Sequence, residues 1–186
     1  MTVWVFCDYT RSVFKRFVGL PLVISLLLFL AFPALTVKAA DPSSFELFWP
    51  VVAGKTVGDR FYSLKLFKEK TREVLIPSSL KKAEYNILLS EKRLVEAEKL
   101  LMIDENLKGA KETLEMAKIK RHKVFDLLQL AKKAELPGHS DVSSRFVGSL
   151  ERQLTLVSIM EGKLSGDEKA LVLPVAEDIK SLLSGL

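Results

Sequence analysis

The sequence predicts an all-α protein: an up-down antiparallel helical bundle of three long helices plus a short first helix and a short C-terminal helix. Apolar residues recur at steps of three and four through most of residues 59–186, which is the spacing of amphipathic helices. No segment alternates apolar and polar positions with β-branched enrichment, so we expect no sheet. The segments between the periodic stretches are short, and short connections favour antiparallel neighbours.

Residues that favour helix starts or stops set the predicted boundaries. They are Asp59 and Pro77 for the first helix, Ser78 or Ser79 at the start of the second, Asn106 and Pro137 for the third, Asp141 and Ser165-Gly166 for the fourth, and Pro174 for the start of the short fifth. The second helix is predicted to extend to about Met102.

Apolar stripes on these helices predict a core that is apolar throughout. The stripe of the third helix is heptad-like, with one interruption at Arg121, and this pattern is typical of helices packed at small angles. The first helix carries Leu64, Phe67, Val74 and Leu75 at helical spacing. We therefore expect the first helix to pack along the bundle.

Residues 1–39 have the composition of a signal peptide, with a membrane anchor as the alternative. Three basic residues precede an apolar stretch over residues 17–37, and Val37 and Ala39 suit the positions before a cleavage site. The same stretch is about as long as the ~20 residues that span a membrane. Both interpretations predict that residues 41–186 lie outside the cytoplasm.

Charge and cysteine content exclude several classes of protein. Of the formal net charge of +5, residues 1–40 carry +3, so the remainder carries only +2. Such a balance gives no basic face for nucleic acid. The only cysteine is Cys7, so residues 41–186 are predicted to fold without disulfides.

Residues 40–58 form an aromatic lead-in that is predicted to be extended, because Pro, Gly and Ser interrupt it repeatedly. Phe48 and Trp49 are too apolar for a free linker. They are expected either to pack on the helical domain of residues 59–186 or to form an interaction patch, since Trp favours membrane interfaces.

One segment resembles a family of exported bacterial helical domains of unknown function. The resemblance covers residues 50–135 and is carried by an aromatic-x-Leu-Lys opening and a later Arg-Leu-x-Glu-Ala core. The matching positions are Tyr62, Leu64, Lys65, Arg93, Leu94, Glu96 and Ala97. The sequence departs from the family pattern at Arg60 and Phe61, and the resemblance implies no activity or catalytic residues.

The same residues suggest a structural role on physical grounds. The hydroxyl of Tyr62 needs a hydrogen-bond partner when its ring is buried. Arg93 and Glu96 flank Leu94 on the second helix. We expect Arg93 and Glu96 to hold the first helix against the second through hydrogen bonds and ion pairs.

Familiar catalytic and metal-binding patterns are missing from the sequence. His122 and His139 are too isolated for a metal site. Gly54-Lys55-Thr56 lacks the first glycine and the preceding strand of a phosphate-binding loop. We therefore expect no enzymatic activity, no metal and no cofactor.

The remaining candidate is an interaction surface. A cluster of cations lies on the third helix, and with the lead-in aromatics the candidates are Phe48, Trp49, Lys118, Lys120, Arg121 and Lys123. The first hypothesis is a scaffold or adaptor that contacts another envelope protein. The alternative is a peripheral protein that binds anionic lipid or cell-wall polymer through Trp49 and this cluster. The sequence leaves the oligomeric state open.

Overall fold

The computed structural model describes residues 41–186, so the predictions for residues 1–39 lie outside the described part. Within residues 41–186 the chain forms six helices and no strand, which confirms the all-α class. The helices are α1 (Ser44–Phe48), α2 (Tyr62–Leu75), α3 (Ser79–Met102), α4 (Leu107–Lys133), α5 (His139–Lys163) and α6 (Gly166–Ser184). These residues form one compact unit.

Two of the predicted caps are present, and two helices begin elsewhere. The Ser78 hydroxyl accepts the backbone N–H of Lys81, and the Asn106 side chain accepts that of Gly109. Asp59 instead closes a turn by accepting the N–H of Thr56 at 2.7 Å, and α2 begins three residues later. Helix α5 begins before Asp141, directly after a left-handed Gly138.

The prediction of an extended lead-in over residues 40–58 was wrong for α1. Ser43 and Glu46 form a reciprocal capping box, in which each side chain accepts the backbone N–H of the other residue. Such a box stabilises a helix start. The short helix places Phe48 in the core, where it is 3% exposed.

The prediction of a short C-terminal helix from Pro174 was also wrong. Helix α6 has 19 residues and contains Pro174 in its interior. Proline removes a backbone hydrogen bond there and normally costs about 3 kcal/mol. Burial of Val172, Val175, Ile179 and Leu182 against the other helices offsets that loss, because each fully buried aliphatic side chain contributes about 1.5–3 kcal/mol.

The core is continuous through α3, α4, α5 and α6, and also takes in Phe48 and Val51. Helices α3 and α4 share the most extensive contact, where buried alanines let the backbones approach closely. The fully buried apolar residues include Ala83, Leu94, Ala97, Ala110, Ala117, Val124, Phe146, Leu150, Leu156 and Ile179. A unit with its own complete core of this kind has what it needs to fold independently.

The core is not apolar throughout, which corrects the sequence-based prediction. The fully buried guanidinium of Arg121 donates from Nε and Nη2 to Asp178 Oδ2 at 3.0 and 2.8 Å. Its Nη1 donates to Gln153 Oε1 at 3.3 Å. The Gln153 amide in turn donates to the hydroxyls of Ser90 and Ser149, both at 3.1 Å. This polar layer joins side chains from four helices.

Candidate functional site

Helix α2 is amphipathic, but its polar face is turned toward the rest of the domain and its apolar face is turned away from it. Its inner face, Tyr62, Lys65, Glu69 and Glu73, is polar and turns toward α3 and α4. Its outer face, defined here as Phe61 of the N-cap with Leu64, Phe67, Val74 and Leu75, is apolar and turns away from the domain.

The position of the inner face depends on Arg93 of α3, which is 2% exposed. Arg93 Nη1 donates to the Tyr62 hydroxyl at 2.7 Å, and Nη2 donates to Glu69 Oε2 at 2.7 Å. The same Nη1 lies 2.7 Å from Glu96 Oε2, an ion-pair contact rather than a well-oriented hydrogen bond. Arg93 and Glu96 therefore lie where the sequence analysis expects them, between the two helices.

A second ion pair joins Lys65 to Glu96, whose side chain is fully buried. Burial raises the pKa of Glu96, against the opposing attraction of Arg93 and Lys65. Burial also lowers the pKa of Lys65, although its hydrogen bond with Glu96 acts in the other direction. Both shifts have the same cause: the charged forms have lost water, which destabilises them unless they are paired.

Glu73 completes the inner face at the C-terminal end of α2. Lys120 Nζ donates to its Oε2 at 2.7 Å, Asn86 donates to its Oε1 at 3.0 Å, and Lys123 Nζ lies 2.5 Å from Oε1. Burial alone would raise the pKa of Glu73. The hydrogen bonds from Lys120, Lys123 and Asn86 outweigh burial and lower the pKa to about 2.

The cations predicted to form one basic patch on α4 are in fact dispersed. Lys120 and Lys123 pair with Glu73 on α2, whereas Arg121 is buried against Asp178 of α6. Only Lys118 is exposed and outside these ion pairs. The cluster is therefore a set of helix–helix contacts, because consecutive positions on a helix point in different directions.

The two aromatic residues predicted as candidate interaction residues lie in different environments. Phe48 is buried in the core, so it is not an interaction residue in this structure. Trp49 is 69% exposed and meets Phe45 edge to face, with ring centroids 4.7 Å apart. Trp49 therefore keeps the accessibility that an interaction residue requires.

The outer face of α2 is exposed, which the sequence did not predict. Phe67 is 67% exposed, Val74 72% and Leu75 74%. We expected this stripe to pack on the bundle, but nothing else in residues 41–186 covers it. The sequence did contain one sign of this orientation, namely the charged residues on the other face of α2. Lys65 and Glu69 on that face pair with the opposite charges Glu96, Lys92 and Arg93 of α3.

The charges that α2 itself exposes beside the outer face have one sign. Lys68 and Lys70 are exposed, whereas Glu69 and Glu73 point inward. Arg72 is also exposed, but its guanidinium lies over the Tyr85 ring of α3, 5.0 Å from its centroid. Two further cations lie over the Phe61 ring: Lys55 at 5.0 Å and Arg60 at 5.8 Å from its centroid. The outer face is therefore an apolar stripe with a cationic border.

The described residues offer little for other chemistry. Within residues 41–186 no group of three or more His, Cys, Asp or Glu side chains is arranged to hold a metal ion. His122 instead contacts Asp178 at 2.6 Å, and His139 opens α5. None of the helices in this part of the chain is apolar and long enough to cross a membrane.

No family model, curated protein or solved structure matches this chain. The resemblance of residues 50–135 to a family of exported helical domains therefore stays a prediction.

We predict that Arg93→Leu lowers the free energy of unfolding of residues 41–186 by about 3 kcal/mol, because it leaves Glu96 buried with one cation fewer. Lys92→Leu, which removes the more exposed pair to Glu69, should change it by less than about 1 kcal/mol. Urea unfolding followed by circular dichroism measures both. Equal midpoints for the parent and Arg93→Leu would contradict the role given to Arg93.

We further predict that Glu73→Gln makes the free energy of unfolding less dependent on pH in the acid range. The folded pKa of about 2 lies below the ordinary value of 4.5, so ionised Glu73 stabilises the fold above pH 4.5. That contribution, at most about 3 kcal/mol, is lost as the pH falls from 4.5 toward 2. Glu73→Gln should flatten the stability curve in this window, whereas Glu112→Gln at an exposed position of α4 should leave its slope unchanged. Parallel curves for the parent and Glu73→Gln would refute the assignment.

Proposed function

We propose that residues 41–186 form a non-enzymatic interaction module that works outside the cytoplasm and presents the outer face of α2 to a partner. The observation that carries this proposal is the inversion of α2, whose charged side is turned inward and whose apolar side is left in water. An isolated helix of this composition would be expected to bury the opposite side.

The energetics of this inversion support a role for the outer face. Removing charged groups from water is expensive, and a well-packed apolar contact often stabilises a protein as much or more. Here the ionic contacts fix the rotation of α2 about its axis while Phe61, Leu64 and Phe67 stay accessible. Exposed apolar surface of this kind is typical of a binding site.

The non-enzymatic character is supported by the way the buried polar groups are used. The polar atoms of Tyr62, Lys65, Glu69 and Arg93 are directed at one another. Catalytic groups would instead converge on a cleft with room for a substrate. Paired charges of this kind are expected of a structural contact.

The location outside the cytoplasm rests on the leader over residues 1–39. Its basic residues, apolar stretch and small residues follow the order of a signal peptide, with a retained anchor as the alternative. We propose that another envelope component, a protein or the membrane surface, is the partner.

We also propose that α3 to α6 alternate in direction, as an up-down bundle. Arg145 contacts Glu84 and Arg152 contacts Glu91. Residue numbers therefore increase in the same direction along α3 and α5, which supports a parallel orientation of these two helices. Arg121 contacts Asp178 and Gln129 contacts the Gly185 carbonyl, so residue numbers also increase in the same direction along α4 and α6. The short loops between successive helices support the alternation.

A photo-crosslinking amino acid tests the interaction role in the full-length chain within its native envelope. We expect a probe that replaces Phe67 to form discrete adducts, because that position faces the partner. A probe that replaces Glu151, which is exposed on α5, is the matched control and should form none. Mass spectrometry identifies the adduct, and equal labelling from both positions would contradict the proposed surface.

A further inference from the structure

We propose that the outer face of α2 docks on an anionic lipid bilayer, with the helix lying in the interface between head groups and acyl chains. This inference rests on the proposed function and names the chemistry of its partner.

The charge distribution of α2 carries the inference. Acidic and basic residues both occur in the helix, but the acids Glu69 and Glu73 are turned inward and paired with cations of α3 and α4. The outward charges are Lys68 and Lys70, whereas the Arg72 guanidinium lies over the Tyr85 ring of α3, 5.0 Å from its centroid. The surface that meets a partner is therefore cationic around an apolar centre, which is complementary to anionic head groups above acyl chains.

The shape of the outer face suits a bilayer. The 14 residues of α2 extend about 21 Å, and Phe61, Leu64 and Phe67 line one side of a convex helix. Of the five long helices, α2 separates its polar and apolar residues most strongly. Helices that lie in the membrane interface have these properties, with Phe and Leu on one side and Lys or Arg beside them.

The cations are also placed to follow the apolar residues into the interface. Lys68 lies one helical turn from Leu64, so its long aliphatic stem can lie along the membrane surface while its charge reaches the head groups. Lys55 and Arg60 extend the cationic border to the N-terminal end of the stripe.

The same charges argue against a second copy of this chain as the occupant. Two outer faces packed against each other would bring the Lys68 and Lys70 groups of both copies close together. Like charges at close range oppose association, whereas an anionic surface removes that repulsion.

Co-sedimentation of residues 41–186 with lipid vesicles tests the proposal, because this fragment lacks the apolar stretch over residues 17–37 that would insert by itself. The vesicles contain phosphatidylcholine with or without phosphatidylglycerol. We expect binding only to the anionic vesicles, weakened by added salt because charge attraction is screened. Binding that is equal for both vesicle types, or absent from both, would overturn the proposal.

Two matched pairs of variants assign the binding to α2. Phe67→Glu should abolish binding, and Leu130→Glu, which alters an exposed apolar residue of α4, should not. The double change Lys68→Gln and Lys70→Gln should weaken binding by roughly 25-fold, about fivefold for each charge. Lys108→Gln with Lys111→Gln removes two exposed cations of α4 and should leave binding within about twofold of the parent by the same reasoning. Unchanged thermal melting of Phe67→Glu shows that lost binding is not lost folding.

The two proposals fail in different ways. If a probe at Phe67 crosslinks to a protein in the envelope while the domain does not bind anionic vesicles, the interaction role stands and the lipid assignment is wrong. If the domain self-associates without lipid and Phe67→Glu prevents this, the occupant is a second copy and the lipid assignment is again wrong. If Phe67 forms no adduct in cells, the interaction role itself is contradicted.

Discussion

The orientation of α2 depends on the buried guanidinium of Arg93. One planar group with several donors contacts the Tyr62 hydroxyl, the Glu69 carboxylate and the Glu96 carboxylate, and only arginine presents donors in such a fork. Tyr62 and Glu69 lie on one side of α2. Their hydrogen bonds with Arg93 therefore hold that side toward α3. The apolar residues on the opposite side are then left facing solvent.

The buried ion pairs fix the orientation of α2 but add little to the free energy of unfolding. A buried ion pair contributes little net stability, since loss of hydration offsets most of the attraction, but an unpaired buried charge is strongly destabilising. If α2 rotated to bury Leu64 and Phe67 instead, Arg93 would lose Tyr62 and Glu69, and the buried Glu96 would lose Lys65. The contact between Arg93 and Glu96 would remain, because both residues belong to α3. The ionic contacts therefore penalise the alternative packing that the apolar residues would otherwise favour. The account explains why an amphipathic helix can keep its apolar side in water.

Local sequence signals predicted the starts of α3 and α4, because caps and periodicity act within a few residues. Ser78 and Asn106 cap their own helices, and the spacing of apolar residues in α3 and α4 matches their buried faces. The face by which α2 packs could not be read from its own periodicity. Its partner charges belong to α3 and α4, and only the tertiary fold brings Glu73 to Lys120.

Arg121 illustrates the same limit in the candidate site. It lies within a run of cations and was interpreted as part of a surface patch, yet its partners are Gln153 of α5 and Asp178 of α6. Nothing near Arg121 in the sequence identifies such distant partners. Phe48 differs, because the Ser43 and Glu46 capping box beside it was a readable sign of α1. Trp49 is exposed, and its role as an interaction residue stays a prediction.

Cysteine accessibility tests the inverted orientation of α2 most directly, since residues 41–186 contain no native cysteine. Single cysteines in place of Phe67, Val74 or the buried Leu94 of α3 would be treated with a maleimide in the folded domain. The account predicts that Phe67→Cys and Val74→Cys react nearly as fast as in the unfolded chain, while Leu94→Cys is protected. Protection of Phe67→Cys and Val74→Cys to the level of Leu94→Cys would mean that α2 packs by its apolar face, and would contradict the account.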